Sequence, residues 1–213
     1  MDSKRGTVLA TPRPVMTMPR HPAARWRVTI VDDHEPSRAA VRAAVAAAGG
    51  EVVGEASRGA DALGMVTSAR PDVVVFAVGL PDGDGVAAAA VVTTTTGCPV
   101  VLFTSHTRDE LVARAQAAGV MAYLLKPLRA AELAPALDLA VARFAETRQL
   151  RQTLEERKVI ERAKGRLMDK LNLTEEEAFR RLRRAAMNSR RPMVEIARAL
   201  LVSESVTEDL PRI

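Results

Sequence analysis

Aromatic side chains are scarce in this chain of 213 residues, which has 3% Phe, Trp and Tyr, including one Trp and one Tyr. Its core must therefore be built from Ala, Val and Leu. Cysteine occurs once, at Cys98, which rules out an internal disulfide framework and a four-thiolate zinc site. Three histidines are too few for a His-rich metal site. No apolar run reaches the ~18 residues of a spanning helix, since the stretch 85–92 ends in four threonines. The N-terminus has basic residues but no compact apolar stretch with a cleavage site, so a cytoplasmic location is expected. What remains is the balance of a soluble globular protein, 47% hydrophobic and 27% charged. The length suits one large or two small domains.

The formal net charge of +5 is unevenly spread. Residues 1–26 carry net +4, residues 27–145 net −3, and residues 146–213 net +4. Within the last part, 157–198 holds thirteen basic and six acidic residues. An acidic front joined to a basic back fits a sensor coupled to a polyanion binder. A well-solvated helical surface is the blander alternative.

Residues 1–25 hold four prolines and no periodicity and read as a disordered extension, with Met16 or Met18 as alternative starts. From Arg27 onward strands and helices alternate. The strands are RVTIV, EVVGEA, VVVFA, VVLFT and AYLL; the helices fall at about 36–48, 60–69, 86–92, 109–118 and from 130. This pattern predicts an α/β fold with a five-stranded parallel, doubly wound sheet covered on both faces. The fifth helix does not stop with the domain. Leu133, Leu137, Ala140, Phe144, Thr147, Leu150 and Leu154 keep a 4-3 apolar stripe, and no Gly or Pro intervenes between Pro135 and Gly165. One helix is predicted from about 130 to 171, with Pro135 near its first turn. Up to Phe144 the stripe suits packing on the sheet; beyond it, a partner helix in a coiled coil. A capping box, Thr174 with Glu177, opens a further helix with Ala178, Leu182, Ala185 and Ala186 inward. Pro192 opens the last, and 203–213 has no pattern. The resulting division is 1–25 extension, 26–145 front domain, 146–153 linker helix, 154–202 small all-α three-helix domain and 203–213 tail.

Polar groups in an open parallel sheet gather at the C-terminal strand ends. Here those positions hold Asp32 and Asp33, Ala77, Thr104 and Lys126. Two carboxylates, a hydroxyl and a Lys suit a divalent cation and a phosphoryl group. The pieces VDDHEP, PDVVVFAVGLPDGDG, VLFTSH and AYLLKP resemble the receiver domain of two-component response regulators, a flavodoxin-like fold. The resemblance implies that Asp32 and Asp33 help hold Mg²⁺, and that a histidine kinase or other signalling protein is a partner in a phosphorelay. It also implies that Thr104 and Tyr123 form the switch and that Lys126 precedes a cis proline. The same alignment puts Ala77 at the phosphoacceptor position. A methyl group has no oxygen to attack a phosphoryl group or to ligand a metal. Phosphorylation there is excluded, Mg²⁺ binding is expected to be weak, and no catalytic residue is assigned. Asp82 and Asp84 are the remaining conceivable acceptors on the following loop. Two origins fit Ala77: a receiver that works without phosphorylation, or a form in which alanine replaces the acceptor.

The segment 154–201, with ERAKGRLM, TEEEAFRRLRRAAM and VEIARALL, resembles the ANTAR domain. That resemblance implies pairing through the preceding helix, binding of two adjacent RNA hairpins and transcription antitermination; a third reading, a self-phosphorylating enzyme, is argued against by Ala77. The candidate RNA-binding residues are Arg157, Lys158, Arg162, Lys164 and Arg166 on the long helix. Arg180, Arg181, Arg184, Asn188, Arg190 and Arg191 follow on the next helix and its exit. Ala163 and Gly165 would allow close approach. Phe179 is expected to be buried, which argues against base stacking and leaves recognition to Arg contacts and hairpin shape. The alternative is a DNA-binding response-regulator transcription factor, because a basic three-helix unit could also enter a major groove.

Overall fold

The structure, a computed structural model, describes residues 24–105 and 109–208. Five runs rich in β-branched residues form parallel strands: β1 (Arg27–Val31), β2 (Glu51–Ala56), β3 (Val73–Ala77), β6 (Val100–Thr104) and β7 (Ala122–Leu125). They lie in the order β2-β1-β3-β6-β7. Side chains alternate between the two faces. Val28, Ile30, Val75, Val101 and Phe103 pack beneath α1 (Glu35–Ala47) and the start of α5 (Ala130–Leu171). Val31, Val74, Phe76, Val100 and Leu102 face α2 (Gly59–Ala69), α3 (Gly85–Thr96) and α4 (Asp109–Ala117). All five residues of central β3 are buried, so its Val-rich sequence without polar alternation is that of a strand covered on both sides.

The predicted long helix is present. α5 has 42 residues, so it runs about 63 Å at 1.5 Å per residue. Its first part contributes Leu133, Leu137 and Ala140 to the sheet core. Its last turns contribute Ala163 and Leu167 to a second core with Ala178, Leu182 and Ala197. Asn172, in the left-handed conformation, ends it. α6 (Glu175–Ser189) starts with the predicted capping box: Thr174 Oγ1 accepts from the Glu177 N–H at 3.3 Å, and Glu177 Oε2 accepts from the Thr174 N–H at 2.9 Å. No helix among the described residues is long and apolar enough to cross a membrane.

Four features differ from the sequence expectation. The loop GLPDGDG contains a small antiparallel ladder, β4 (Gly79–Leu80) with β5 (Gly83–Asp84), too short to register as a strand signal. α3 runs on through its threonines to Thr96, whose hydroxyl donates back to the Val92 carbonyl, and Gly97 stops it. Pro135 lies inside α5, where it forgoes one backbone bond without ending the helix. The last helix, α7 (Met193–Glu208), continues into the segment that has no apolar pattern. Residues 1–23, nearly all of the expected disordered extension, and 209–213, the end of the expected tail, lie outside the described residues.

Gly85 is fixed by space. A Cβ there would sit 2.0 Å from the Ala77 carbonyl oxygen, so α3 reaches the end of β3 only with glycine at this position. Gly64 in α2 faces open space. Gly85→Ala is expected to destabilise by roughly 3 kcal/mol, at the upper end of overpacking. Gly64→Ala should stabilise by about 0.5–1 kcal/mol. Urea unfolding of both variants measures the contrast.

Candidate functional site

Register assembles the pocket at the sheet's C-terminal edge. β1 pairs with β3 as Val31↔Phe76, so Asp32 comes level with Ala77 one step on. β3 pairs with β6 as Ala77↔Phe103, which brings Thr104 alongside. β6 pairs with β7 as Thr104↔Leu125, and the Lys126 N–H donates to the Thr104 carbonyl at 2.7 Å. The Lys126–Pro127 bond is cis. All five sequence-predicted positions therefore meet at one edge.

What they form is a neutralised pocket. Asp32 is buried, and its Oδ2 lies 2.6 Å from Lys126 Nζ, an ion pair without hydrogen-bond alignment. Its Oδ1 accepts from the His34 N–H at 3.0 Å. Lys126 Nζ also stands 5.0 Å from the centre of the Phe103 ring. Ala77 is buried and offers no oxygen from its side chain. Asp33 is exposed. Mg²⁺ keeps several waters and takes one or two carboxylates; here Asp32 is engaged by Lys126 and by the His34 N–H. Among the described residues no group of three or more His, Cys, Asp or Glu could hold a metal ion. Asp32 and Asp33 are the two carboxylates this edge offers a cation, and the first of them is already paired with Lys126.

Asp82 and Asp84 serve as helix caps. Asp82 accepts from the N–H groups of Gly59 and Ala60, at 3.0 and 2.9 Å, at the start of α2. Those two backbone donors hold its carboxyl below the usual range. Asp84 accepts from the Val86 N–H at 3.0 Å as the N-cap of α3 and is ion-paired with Arg114. Both carboxylates are thus engaged at helix N-termini. Cys98 is buried, and burial pushes its thiol up to about 12. Tyr123, expected as the switch aromatic, is 53% exposed. Sequence reasoning missed Arg38, which donates to the Asp32 carbonyl at 2.7 Å and pairs with Glu55 at 3.2 Å. Its signal was the Glu35, Arg38, Arg42 spacing on one face of α1.

In the helical unit most of the predicted basic residues face outward. Arg157, Lys158, Arg162 and Arg166 on α5 are exposed, as are Arg180, Arg181, Arg184, Asn188, Arg190 and Arg191 on α6 and its exit. Lys164 is the exception and corrects the expectation. It is buried, with Glu161 and Glu175 oxygens each within 2.8 Å of its ammonium. These two carboxylates raise its pKa, and it lowers that of Glu175. The pair's contribution is complete between the two ordinary values. It fades in acid as Glu175 is protonated, and in strong base as Lys164 loses its proton. Lys164 thus ties the end of α5 to the start of α6.

Three smaller expectations also change. Phe179 is 38% exposed, not buried, and Met187 is 69% exposed. Ala185 is exposed while Ala186 is buried. Arg190, in the left-handed conformation, caps α6. Ala163 belongs to the core, whereas a Cβ on Gly165 would meet nothing within 4 Å.

Two families match the chain: the response regulator receiver domain over residues 28–138 and the ANTAR domain over residues 148–201. The chain is 37% identical over 190 residues to the transcriptional regulatory protein PdtaR of Mycobacterium tuberculosis strain H37Rv, covering 86% of this chain and 93% of that protein. It is 38% identical over 116 residues to the DNA-binding transcriptional activator DevR/DosR of the same strain, covering 52% of each. Among solved structures, the signal receiver domain of a modulated diguanylate cyclase from Desulfovibrio desulfuricans G20 matches with a TM-score of 0.54 at 27% identity. That match covers 57% of this chain and 98% of the other. A receiver match followed by an ANTAR match, with a relative similar over nearly its whole length, settles the family: the chain belongs to the response regulators that join a receiver domain to an ANTAR domain.

Proposed function

We propose that the protein is a transcription antitermination regulator that binds paired RNA hairpins as a dimer, through a receiver with Ala77 at the acceptor position that works without phosphorylation there. The observation that carries this reading is the outward array of guanidinium groups on α5 and α6, set in a unit joined to the receiver by one helix. Phosphate contacts from such an array supply affinity, and folded RNA presents them at hairpin spacing. The relative whose name describes DNA binding matches only about half of this chain, so it gives the DNA alternative little support.

Pairing is assigned to the middle of α5. Leu150 is 60% exposed and Leu154 is 56% exposed, on a stretch that neither core covers. Two exposed leucines at i, i+4 offer a seam to a second copy. The neutralised Asp32–Lys126 pocket supports constitutive pairing or pairing set by a protein partner, with the cytoplasm as the expected compartment.

Three outcomes follow. Filter binding should favour paired RNA hairpins over duplex DNA; equal or tighter DNA binding rejects the reading. Arg184→Ala should weaken RNA binding and lower the salt slope by about one. Lys164→Ala should instead lower the melting temperature of the helical unit by a few degrees and blunt its loss of stability in acid. A slope change for Lys164→Ala without a stability change would place that residue on the RNA.

Leu150→Glu should make the chain monomeric in sedimentation and reduce hairpin affinity at least ten-fold, because each copy would then engage its hairpin alone. Treatment with a small phosphodonor and Mg²⁺ should leave the mass of the protein unchanged, while Ala77→Asp should gain a phosphoryl group. Phosphorylation of the unaltered chain would overturn the pocket assignment.

A further inference from the structure

α6 presents two apolar side chains that its own core does not use. Ala178, Leu182 and Ala186 supply its buried face. Phe179 and Met187 stay exposed. Phe179, Arg183 and Met187 follow at i, i+4 and i+8, so they share one face of the helix. Arg180 and Arg184 border that face on the side away from the core, and all three arginines are exposed. Glu176 is the acidic member, 3.9 Å from Arg180. Phe179 is the only aromatic residue after Phe144.

Charge selects the occupant. A second copy of this face would bring guanidinium against guanidinium. An unpaired nucleobase between phosphates suits it on both counts. Every base has a π-face that stacks on an aromatic ring. A thioether adapts to the ring edge, and flanking guanidiniums reach the phosphates on either side. A paired stem offers no free base face, whereas a loop does.

We propose that Phe179, with Arg183 and Met187, forms a platform on which an unpaired base of an RNA hairpin loop stacks. This deepens the RNA-binding reading above and rests on it. Electrostatics then holds the RNA, and the platform distinguishes loop from stem.

The test uses the full chain and an RNA of two adjacent hairpins carrying 2-aminopurine at successive loop positions. A fully paired RNA of equal length is the control. The unaltered chain should change the probe's fluorescence at one loop position and bind the paired control more weakly. Phe179→Leu keeps an apolar side chain but removes the ring. It should lose the fluorescence change and about five-fold or more in affinity, with the salt slope unchanged because stacking releases no counterions. Phe179→Tyr should retain both signals, which keeps the test decisive if the leucine variant unfolds by circular dichroism. Native-like fluorescence and affinity in a folded Phe179→Leu overturn the platform and leave the RNA reading standing. A changed oligomeric state with unchanged RNA affinity also overturns it, by showing the face to be a protein contact. Failure of the unaltered chain to bind either RNA removes the RNA reading itself.

Discussion

Leu133, Leu137 and Ala140 at one end of α5 and Ala163 and Leu167 at the other are buried in two different cores. Everything else about the molecule depends on that shared helix. The stretch between Ala140 and Ala163 is about 35 Å long, and its leucines are exposed. Most helical stability in proteins comes from packing rather than from propensity. Local pairs such as Gln152–Glu156 at 2.9 Å and Glu155–Lys158 at 2.7 Å contribute a few tenths of a kcal/mol each, which is little. Anchoring at both ends supplies the rest, and a second copy along the exposed seam would supply more. A change in how α5 sits on the sheet is then a change in how the arginines of the helical unit are displayed.

Charge is handled in opposite ways at the two ends. In the receiver, Lys126 sits on Asp32, so the acidic edge is compensated from within. In the helical unit the buried cation Lys164 is compensated by Glu161 and Glu175, while the guanidiniums around it are exposed. Buried charges cost several kcal/mol unless paired, and exposed ones cost little. The pairs therefore hold the architecture, and the exposed arginines are available to a polyanion.

Much of this was legible in the sequence. The five strands showed in their β-branched runs, and α5 showed in the absence of any breaker between Pro135 and Gly165. The capping box showed in Thr174 and Glu177. Ala77 was legible too, because neighbouring motifs fix its place by register. What failed was the outward or inward sense of single side chains. Lys164 reads as one more basic residue until α6 folds back and brings Glu175 to it, eleven positions away. Phe179 reads as core by hydrophobicity, but Ala178 and Leu182 already fill that face. The β4–β5 ladder was invisible because two-residue strands have no period.

The central claim is that two copies present their arginine faces together on one transcript. It is tested most directly by the mass of the complex formed between the full chain and an RNA carrying two adjacent hairpins, measured beside an RNA carrying one. The account predicts two chains on the paired hairpins and a much weaker complex with the single one. One chain bound to either RNA with equal affinity would contradict it.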